Sequence, residues 1–367
     1  MGMHGDVLLV GSVPGDSAED AMRLCASGLG THLACLPDGE TGRRRAWINF
    51  LAAGAYAANA DLHTVNRPLP IDPSVADEWR PLGEDWIPRG YTDHWSFRMR
   101  HAARLHFPTL GYADVARASY AVFTRLKAEG VVAPGLRFMV ALPLIESATR
   151  PFCAEAGDFP SFALAYEDAI AREIASMLTS IPADELVLQW DIAFETLAIE
   201  TDDHLPGVFP WQPAGSALER YQRAVQRAAR MVPAAVTMGL HLCYGDLGHH
   251  HVIEPPTLAT CVRMANIAHT AAARPIDFYH MPVPRDRDDD AYFAPLAGLD
   301  IGAARLYLGL VHHSDGAAGS RRRLTTARRH AQGFGIATEC GFGRRAPATI
   351  PALLAIHCEL LRKNGTL

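Results

Sequence analysis

Apolar runs of four to eight residues recur along the chain. Each is followed by a loop rich in Gly, Pro and polar residues and then by an amphipathic stretch. The runs are VLLV (7–10), THLACLP (31–37), LRFMVALP (136–143), ELVLQWD (185–191), TMGLHLC (237–243), DFYHMP (277–282), RLYLGLV (305–311) and GIATEC (335–340). Several are apolar nearly throughout instead of alternating, as parallel strands covered by helices on both faces are. Helical periodicity occupies 112–129, 160–181, 214–231, 255–271, 319–332 and 349–363. Asp158 ahead of Pro160, and Thr349 ahead of Pro351, are cap-competent starts for two of these helices. Eight strands alternating with helices predict an α/β fold of the single (β/α)8 TIM-barrel type. An open doubly wound sheet is the competitor, but GSVPGD (11–16) is not the Gly-x-Gly-x-x-Gly turn of a dinucleotide fold.

Two stretches break the alternation. Residues 61–111 carry Trp79, Trp86 and Trp95 among several prolines, and 196–213 (TLAIETDDHLPGVFPWQP) are too polar and proline-rich for a barrel wall. Long βα excursions of this kind usually shape a pocket. No internal repeat or low-complexity linker divides the chain, so one domain over 1–367 is expected.

Composition narrows the class. Of 367 residues, 49% are hydrophobic and 20% charged, and the formal net charge is -6. That is ample apolar material for a large core and nothing like the basic footprint of a nucleic-acid binder. Arg321-Arg322-Arg323 with Arg328-Arg329 read as a solvated helix face, and His249-His250-His251 as a solvated loop tract. No apolar run reaches the ~18 residues that span a bilayer, and MGMHGDVLLVGSVPG lacks the apolar region of a secretory signal. Seven cysteines scattered through the chain do not form a disulfide framework. A reducing cytoplasm is therefore expected, with Cys25, Cys35, Cys153, Cys261 and Cys358 as small buried hydrophobes. The expected partner is a small-molecule substrate, with no nucleic acid and no membrane; self-association into a homo-oligomer is compatible with the sequence.

The chemistry of a barrel collects at the C-terminal ends of its strands, and the rare polar residues fall there. Ser12 follows the first strand, Glu40 the second, and Asp191 with Glu195 the fourth. The fifth holds His241, Cys243 and Tyr244, the sixth His280, the seventh leads into His312-His313, and the eighth ends in Glu339-Cys340. The i, i+2 spacing of His241 and Cys243 puts both side chains on one face of a strand. Two thiolates and an imidazole suit zinc, and three protein ligands with an open fourth position make a catalytic site.

Over essentially its whole length the chain resembles the catalytic C-terminal barrel of cobalamin-independent methionine synthase, and the wider zinc group that includes epoxyalkane:coenzyme M transferase. GSVP (11–14), DGETGRRRAWINF (38–50), LQWDIAFE (188–195), HLCYGD (241–246), HHSDG (312–316) and ECGFGRR (339–345) are similar to that family's motifs, in the same order. The resemblance implies zinc held by His241, Cys243 and Cys340, with His280 standing where the family has a glutamate ligand. There it is either a fourth ligand or a pocket residue. It also implies a substrate-contacting Glu40, an acidic Asp191 at the end of the fourth strand, and His313 in proton transfer. Two departures, Ile192-Ala193 in place of Glu-Pro and a Gly-Asp-Leu-Gly-His-His-His loop after Tyr244, tell against methyltetrahydrofolate and homocysteine as substrates.

The expected function is a zinc-dependent transferase that activates a small thiol for S-alkylation by methyl or alkyl transfer. Asp191, His313 and Glu40 are the expected catalytic groups, and Ser12, Glu40, Glu195 and Tyr244 the substrate contacts. The same ligands would also serve a zinc-dependent hydrolase or lyase, with Asp191 or Glu195 as the base.

Overall fold

The computed structural model describes residues 5–74, 82–90, 93–100, 105–247 and 250–362. Trp79 and His249 lie outside the described residues. The strands in chain order are β1 (Leu36–Pro37), β2 (Leu62–Asn66), β3 (Ser96–Met99), β4 (Phe138–Pro143), β5 (Leu186–Ile192), β6 (Thr237–Leu242), β7 (Phe278–Pro282), β8 (Arg305–Val311) and β9 (Gly335–Thr338). Seven of them form one curled parallel sheet in the order β1-β4-β5-β6-β7-β8-β9, an α/β architecture of barrel-like form. Among the described residues no helix is long and apolar enough to cross a membrane.

The first expected strand, 7–10, is not built as one. Val7 makes single parallel bridges to Leu33 on one side and Ile336 on the other, and Ser12 bridges Gly39. The segment thus sits between the two edges of the sheet, tied by Val7 N–H to His32 O (2.9 Å) and Leu8 N–H to Ile336 O (3.0 Å). Gly5, Gly11 and Pro14 crowd this short run, and each favours irregular backbone over a continuous ladder. The second expected strand shrinks to β1 for a similar reason: residues 30–32 close into a 3-10 turn.

Alternation along the strands makes two separate cores. Leu186, Leu188, Trp190 and Ile192 of β5 join the large cluster beneath the helices. Val187 instead joins Leu8, Val10, Met139, Phe278, Tyr307 and Ala337 in a second cluster inside the curl. Residues of that inward parity further along the strands are polar: Gln189 and Asp191 on β5, His241 on β6, His280 on β7. The apolar plug thus fills one end of the interior, and the chemistry lies at the other. Gly239 lies across from Phe278 in register, and a Cβ there would come within 2.0 Å of the ring, so Phe278 occupies the space a side chain at 239 would need.

The helices lie close to their expected places, for example Tyr112–Ala128, Phe159–Met177, Ala217–Met231 and Gly316–His330. Asp158 does not cap its helix; its carboxylate accepts from Met99 N–H (2.8 Å) and so fastens β3. The 61–111 excursion contains the antiparallel pair β2–β3. Phe97 anchors it, stacked with Trp95 (6.0 Å) and edge-on to Tyr56 (6.0 Å). Part of 196–213 is helical, Phe194–Thr201. The arginine run is not uniformly solvated, because Arg323 is fully buried and donates to Leu310 O (2.8 Å) and to both oxygens of Asp315.

If Phe278 is the plug of the interior, Gly239→Ala should destabilise the protein by roughly 1–3 kcal/mol through overpacking. Adding Phe278→Leu should restore part of that loss. Urea unfolding of the single and double variants measures both; a neutral Gly239→Ala would show that the ring does not fill that space.

Candidate metal centre

β6 delivers His241 at its end and Cys243 just beyond, both on the inward side; Cys340 arrives two residues past the end of β9. The ligand atoms of the three all lie within 4.8 Å of one another, with Cys340 Sγ 3.8 Å from His241 Nε2. His241 and Cys243 are buried and Cys340 half-buried, and all the cysteines are free thiols. The Cys243 sulfur beside it, together with burial, holds the Cys340 thiol well above its usual pKa, against the pull of Arg344. Burial, then the neighbouring His280, keeps the His241 imidazole neutral. Two soft sulfur donors and a neutral imidazole suit zinc. A divalent cation would reverse the electrostatics that keep protons on the sulfur. The residues present therefore fit a metal ion.

His280 is not one of the three donors. Its Nδ1 is 2.7 Å from His241 Nδ1, and its Nε2 2.9 Å from Thr338 O. With His241 Nε2 turned towards Cys340, consistent protonation runs one way. His241 Nδ1–H donates to His280 Nδ1, and His280 Nε2–H donates to Thr338 O. Both nitrogens of His280 are spent, and burial pushes its pKa down to about 4, so the ring stays a neutral acceptor. Thr338 adds a second tie, its Oγ1–H donating to Cys340 O (2.6 Å). His280 thus sits behind His241, fixing its tautomer and ring plane as an outer partner of a metal ligand would.

The Cys340 loop is fastened by Ser12. Phe342 N–H donates to Ser12 O (2.6 Å) and Gly343 N–H to Ser12 Oγ (3.1 Å). A Cβ at Gly341 would lie 2.3 Å from Ser12 Oγ, so the close approach requires glycine. Arg344 extends the support: its Nε donates to Asp246 O (2.6 Å), and its Nη2 donates to the Asp246 carboxylate and lies 3.7 Å from Cys340 Sγ.

A pocket of about 1020 Å³, part of it open to solvent, reaches the three donors. Ser12, Glu40, Asp191, Asp246 and Arg344 line its polar end, and most of the remaining lining is apolar. Asp191 is held by Gln189 Nε2–H (2.9 Å) and Trp47 Nε1–H (3.1 Å). Burial raises its pKa to about 7, against those two hydrogen bonds. Glu40 sits at φ 49°, with its N–H on Asp38 Oδ1 (3.0 Å). Burial and then the Asp191 charge push it up to about 8, with Arg44 opposing.

Other sequence-expected residues are placed elsewhere. Glu195 is buried outside the pocket lining, where its carboxylate accepts from Glu146 N–H (2.8 Å), Ser147 N–H (3.1 Å) and the Ser147 hydroxyl. Burial and Glu146 raise its pKa to about 7. Tyr244 turns away from the pocket, its OH donating to Glu200 (3.0 Å). His313 is half-buried and does not line the pocket. Its neighbour His312 is the buried one, with Nε2 2.8 Å from Val283 O and Nδ1 3.4 Å from Glu339. His251 approaches Glu339 from the other side (3.6 Å). Its side chain is buried, in contrast to the solvated tract expected. Although burial lowers it, the contact with Glu254 and the Glu339 charge push its pKa up to about 9. Arg344 and Trp47 lie inside the ECGFGRR and DGETGRRRAWINF motifs, yet nothing in their spacing marks them as site residues.

A curled parallel sheet with a His-Cys-Cys group at its C-terminal end defines the class of fold and site. A B12-independent methionine synthase from Shewanella sp. W3-18-1, solved in complex with selenomethionine, shares the fold. It is 12% identical with a TM-score of 0.57, over 99% of this chain and 98% of that one. A methyltransferase from Methanosarcina mazei matches at 13% identity and a TM-score of 0.43, over 72% of each chain. No protein-family model and no curated protein matches the chain by sequence.

The purified protein is expected to hold about one zinc per chain, and Cys243→Ser or Cys340→Ser to lose it. His280→Phe should retain the donors but weaken zinc roughly 10–100-fold. Metal analysis and chelator competition measure this, and full occupancy in both serine variants would remove the site assignment.

Asp191 titrates higher in the fold than its usual 3.8. Its neutral form is therefore the one the fold favours, and the stability it contributes is complete below pH ~4 and lost as pH rises through ~7. In the metal-free protein, Asp191→Asn should gain stability relative to the parent as pH rises from 5 to 8. Melting curves across that range check the slope, and a pH-independent difference would contradict it.

Proposed function

We propose that the chain is a zinc-dependent transferase that activates a small thiol for S-alkylation, by methyl or alkyl transfer. In this reading one domain over 1–367 forms a complete (β/α)8 barrel, closed where Val7 bridges both Leu33 and Ile336. The carrying observation is the His241–Cys243–Cys340 group opening on the same pocket as two acids of raised pKa. The fold shared with a methionine synthase supports the choice of methyl or alkyl transfer.

When bound, zinc would supply the positive charge that lets a thiol lose its proton at neutral pH. The chain's own residues do the rest. His241 is held at one tautomer by His280, so its Nε2 lone pair faces Cys340 without reorganisation. Asp191 lines the same pocket with its pKa raised by burial, where it would serve as a general acid–base group. Gln189 and Trp47 fix its carboxylate plane. Glu40 faces the same space and would orient a polar group of the substrate such as an amine.

A cobalt-substituted protein tests the reading. A thiolate-to-metal charge-transfer band that responds to a small thiol supports it; a spectrum that no thiol alters overturns it in favour of a zinc-dependent hydrolase or lyase. With a responding thiol and a methyl donor, Asp191→Asn should fold, keep its metal and lose roughly 10²–10⁴-fold in turnover. Melting temperature, metal content and turnover are measured together. An Asp191→Asn protein of full activity would end the proton-transfer role.

A further inference from the structure

Much of the pocket lining is hydrocarbon. Trp47 and Ile48 come from the connection after β1, Pro151 and Phe152 from the one after β4, and Phe194 and Leu197 from the helix after β5. These side chains are fixed by their own packing. Phe152 lies 5.7 Å from the Tyr56 ring, Phe194 6.1 Å from Phe209, and Trp47 is held on Asp191 through its indole N–H. The apolar wall is therefore preformed, and an apolar ligand would not have to order it first.

Charge is distributed in the same sense. Among the described residues lining the pocket, Arg344 is the one arginine or lysine, and it lies at the metal end, committed to Asp246. Laid against Phe152, Phe194 and Leu197, a carboxylate, sulfonate or phosphate would be buried on hydrocarbon, which is costly. Among the described lining residues outside the metal end, His94 is the one titratable base.

Resting on the thiol reading above, we propose that the thiol substrate carries an uncharged hydrocarbon body, an alkyl chain or an aromatic ring. Its sulfur points to His241, Cys243 and Cys340, and its body lies against Phe152, Phe194 and Leu197. The substrate class is hydrophobic thiols, and ω-carboxylated or sulfonated thiols are rejected.

Two parallel titrations test this on the full chain. The cobalt-loaded protein is titrated with ethanethiol, butanethiol, hexanethiol and benzyl mercaptan, and with 3-mercaptopropionate and 6-mercaptohexanoate, following the charge-transfer band. The metal-free protein is titrated with ethanol, butanol, hexanol and benzyl alcohol, following melting temperature. Each buried methylene should tighten the alkylthiols by about fourfold, and a terminal carboxylate should weaken binding by at least roughly tenfold. The alcohols should raise the melting temperature in the same order of chain length. Phe194→Ala should flatten both dependences. Binding independent of chain length in both series overturns the proposal, as do carboxylated thiols that bind as well as alkylthiols, or an unchanged slope in Phe194→Ala. Cobalt spectra blind to every thiol, with alcohols still ranked by length, would leave the hydrocarbon site standing and remove the thiol reading instead.

Discussion

An imidazole inside a sheet of apolar strands must have every polar atom satisfied there, and the hydrogen bond between His241 and His280 is how this fold does it. The bond spans two neighbouring strands in register and passes on to Thr338 at the end of β9. Thr338 in turn holds the carbonyl of Cys340. One line of hydrogen bonds thus sets the distance between the strand that supplies two donors and the loop that supplies the third. Leaving a buried donor or acceptor unpaired costs about 1–3 kcal/mol, so a rotation of either ring would be penalised at once. The arrangement converts the rigidity of three strands into the rigidity of a site.

The loops above the strands are ordered by a different device. Glu146, Arg150, Asp203 and Arg220 form a buried four-member ion cluster, with Arg150 2.7 Å from Asp203, and Arg220 2.6 Å from Glu146 and 2.7 Å from Asp203. The Arg150 guanidinium also lies 3.7 Å over the Phe209 ring. Burying such charges brings little net stability over hydrocarbon of the same shape. What the cluster does here is fix the connection after β4 against the helix after β5 and the stretch that follows it. Those are the segments that present Pro151, Phe152, Phe194 and Leu197 to the pocket. Glu195 works alongside, its carboxylate gathering the N–H groups that open helix Ile145–Thr149.

Seven of the eight apolar runs became strands of one sheet because nearly continuous apolar sequence has few other ways to be covered on both faces. His241 and Cys243 were legible for a stronger reason, since i, i+2 spacing fixes a shared face whatever the neighbours are. The same rule already argued against Tyr244, one residue beyond Cys243 and so turned to the opposite side. Parity stops working where strands stop. Beyond Val311 the chain turns, and His312 instead of His313 is the histidine packed against Glu339. Which atom a side chain meets across the fold was not readable either. Nothing in the residues around His280 reveals that Thr338 accepts from it, and nothing in Arg321-Arg322-Arg323 marks the third as the one that reaches Leu310 O. Sequence periodicity encodes faces; partners depend on how strands of different curvature finally close on each other.

The electrostatics of the site also show what it is arranged to receive. Burial raises Asp191 and, with the Asp191 charge adding to it, Glu40; the Cys243 sulfur and then burial raise Cys340. Each such shift is a preference of the fold for fewer negative charges in that space. Interior packing alone would have been served better by neutral side chains, because a buried group held away from its ionised form gains nothing in stability at neutral pH. A cation among His241, Cys243 and Cys340 changes the balance: it rewards every negative charge nearby and expels protons as it binds. A cation bound there would have to displace those protons, so its occupancy would rise with pH, and its binding would stabilise the fold in proportion to occupancy. Arg44 and Arg344, which lie beside that space, are committed to Asp38 and Asp246. Among the described residues, the group placed to receive a further positive charge there is His241, Cys243 and Cys340.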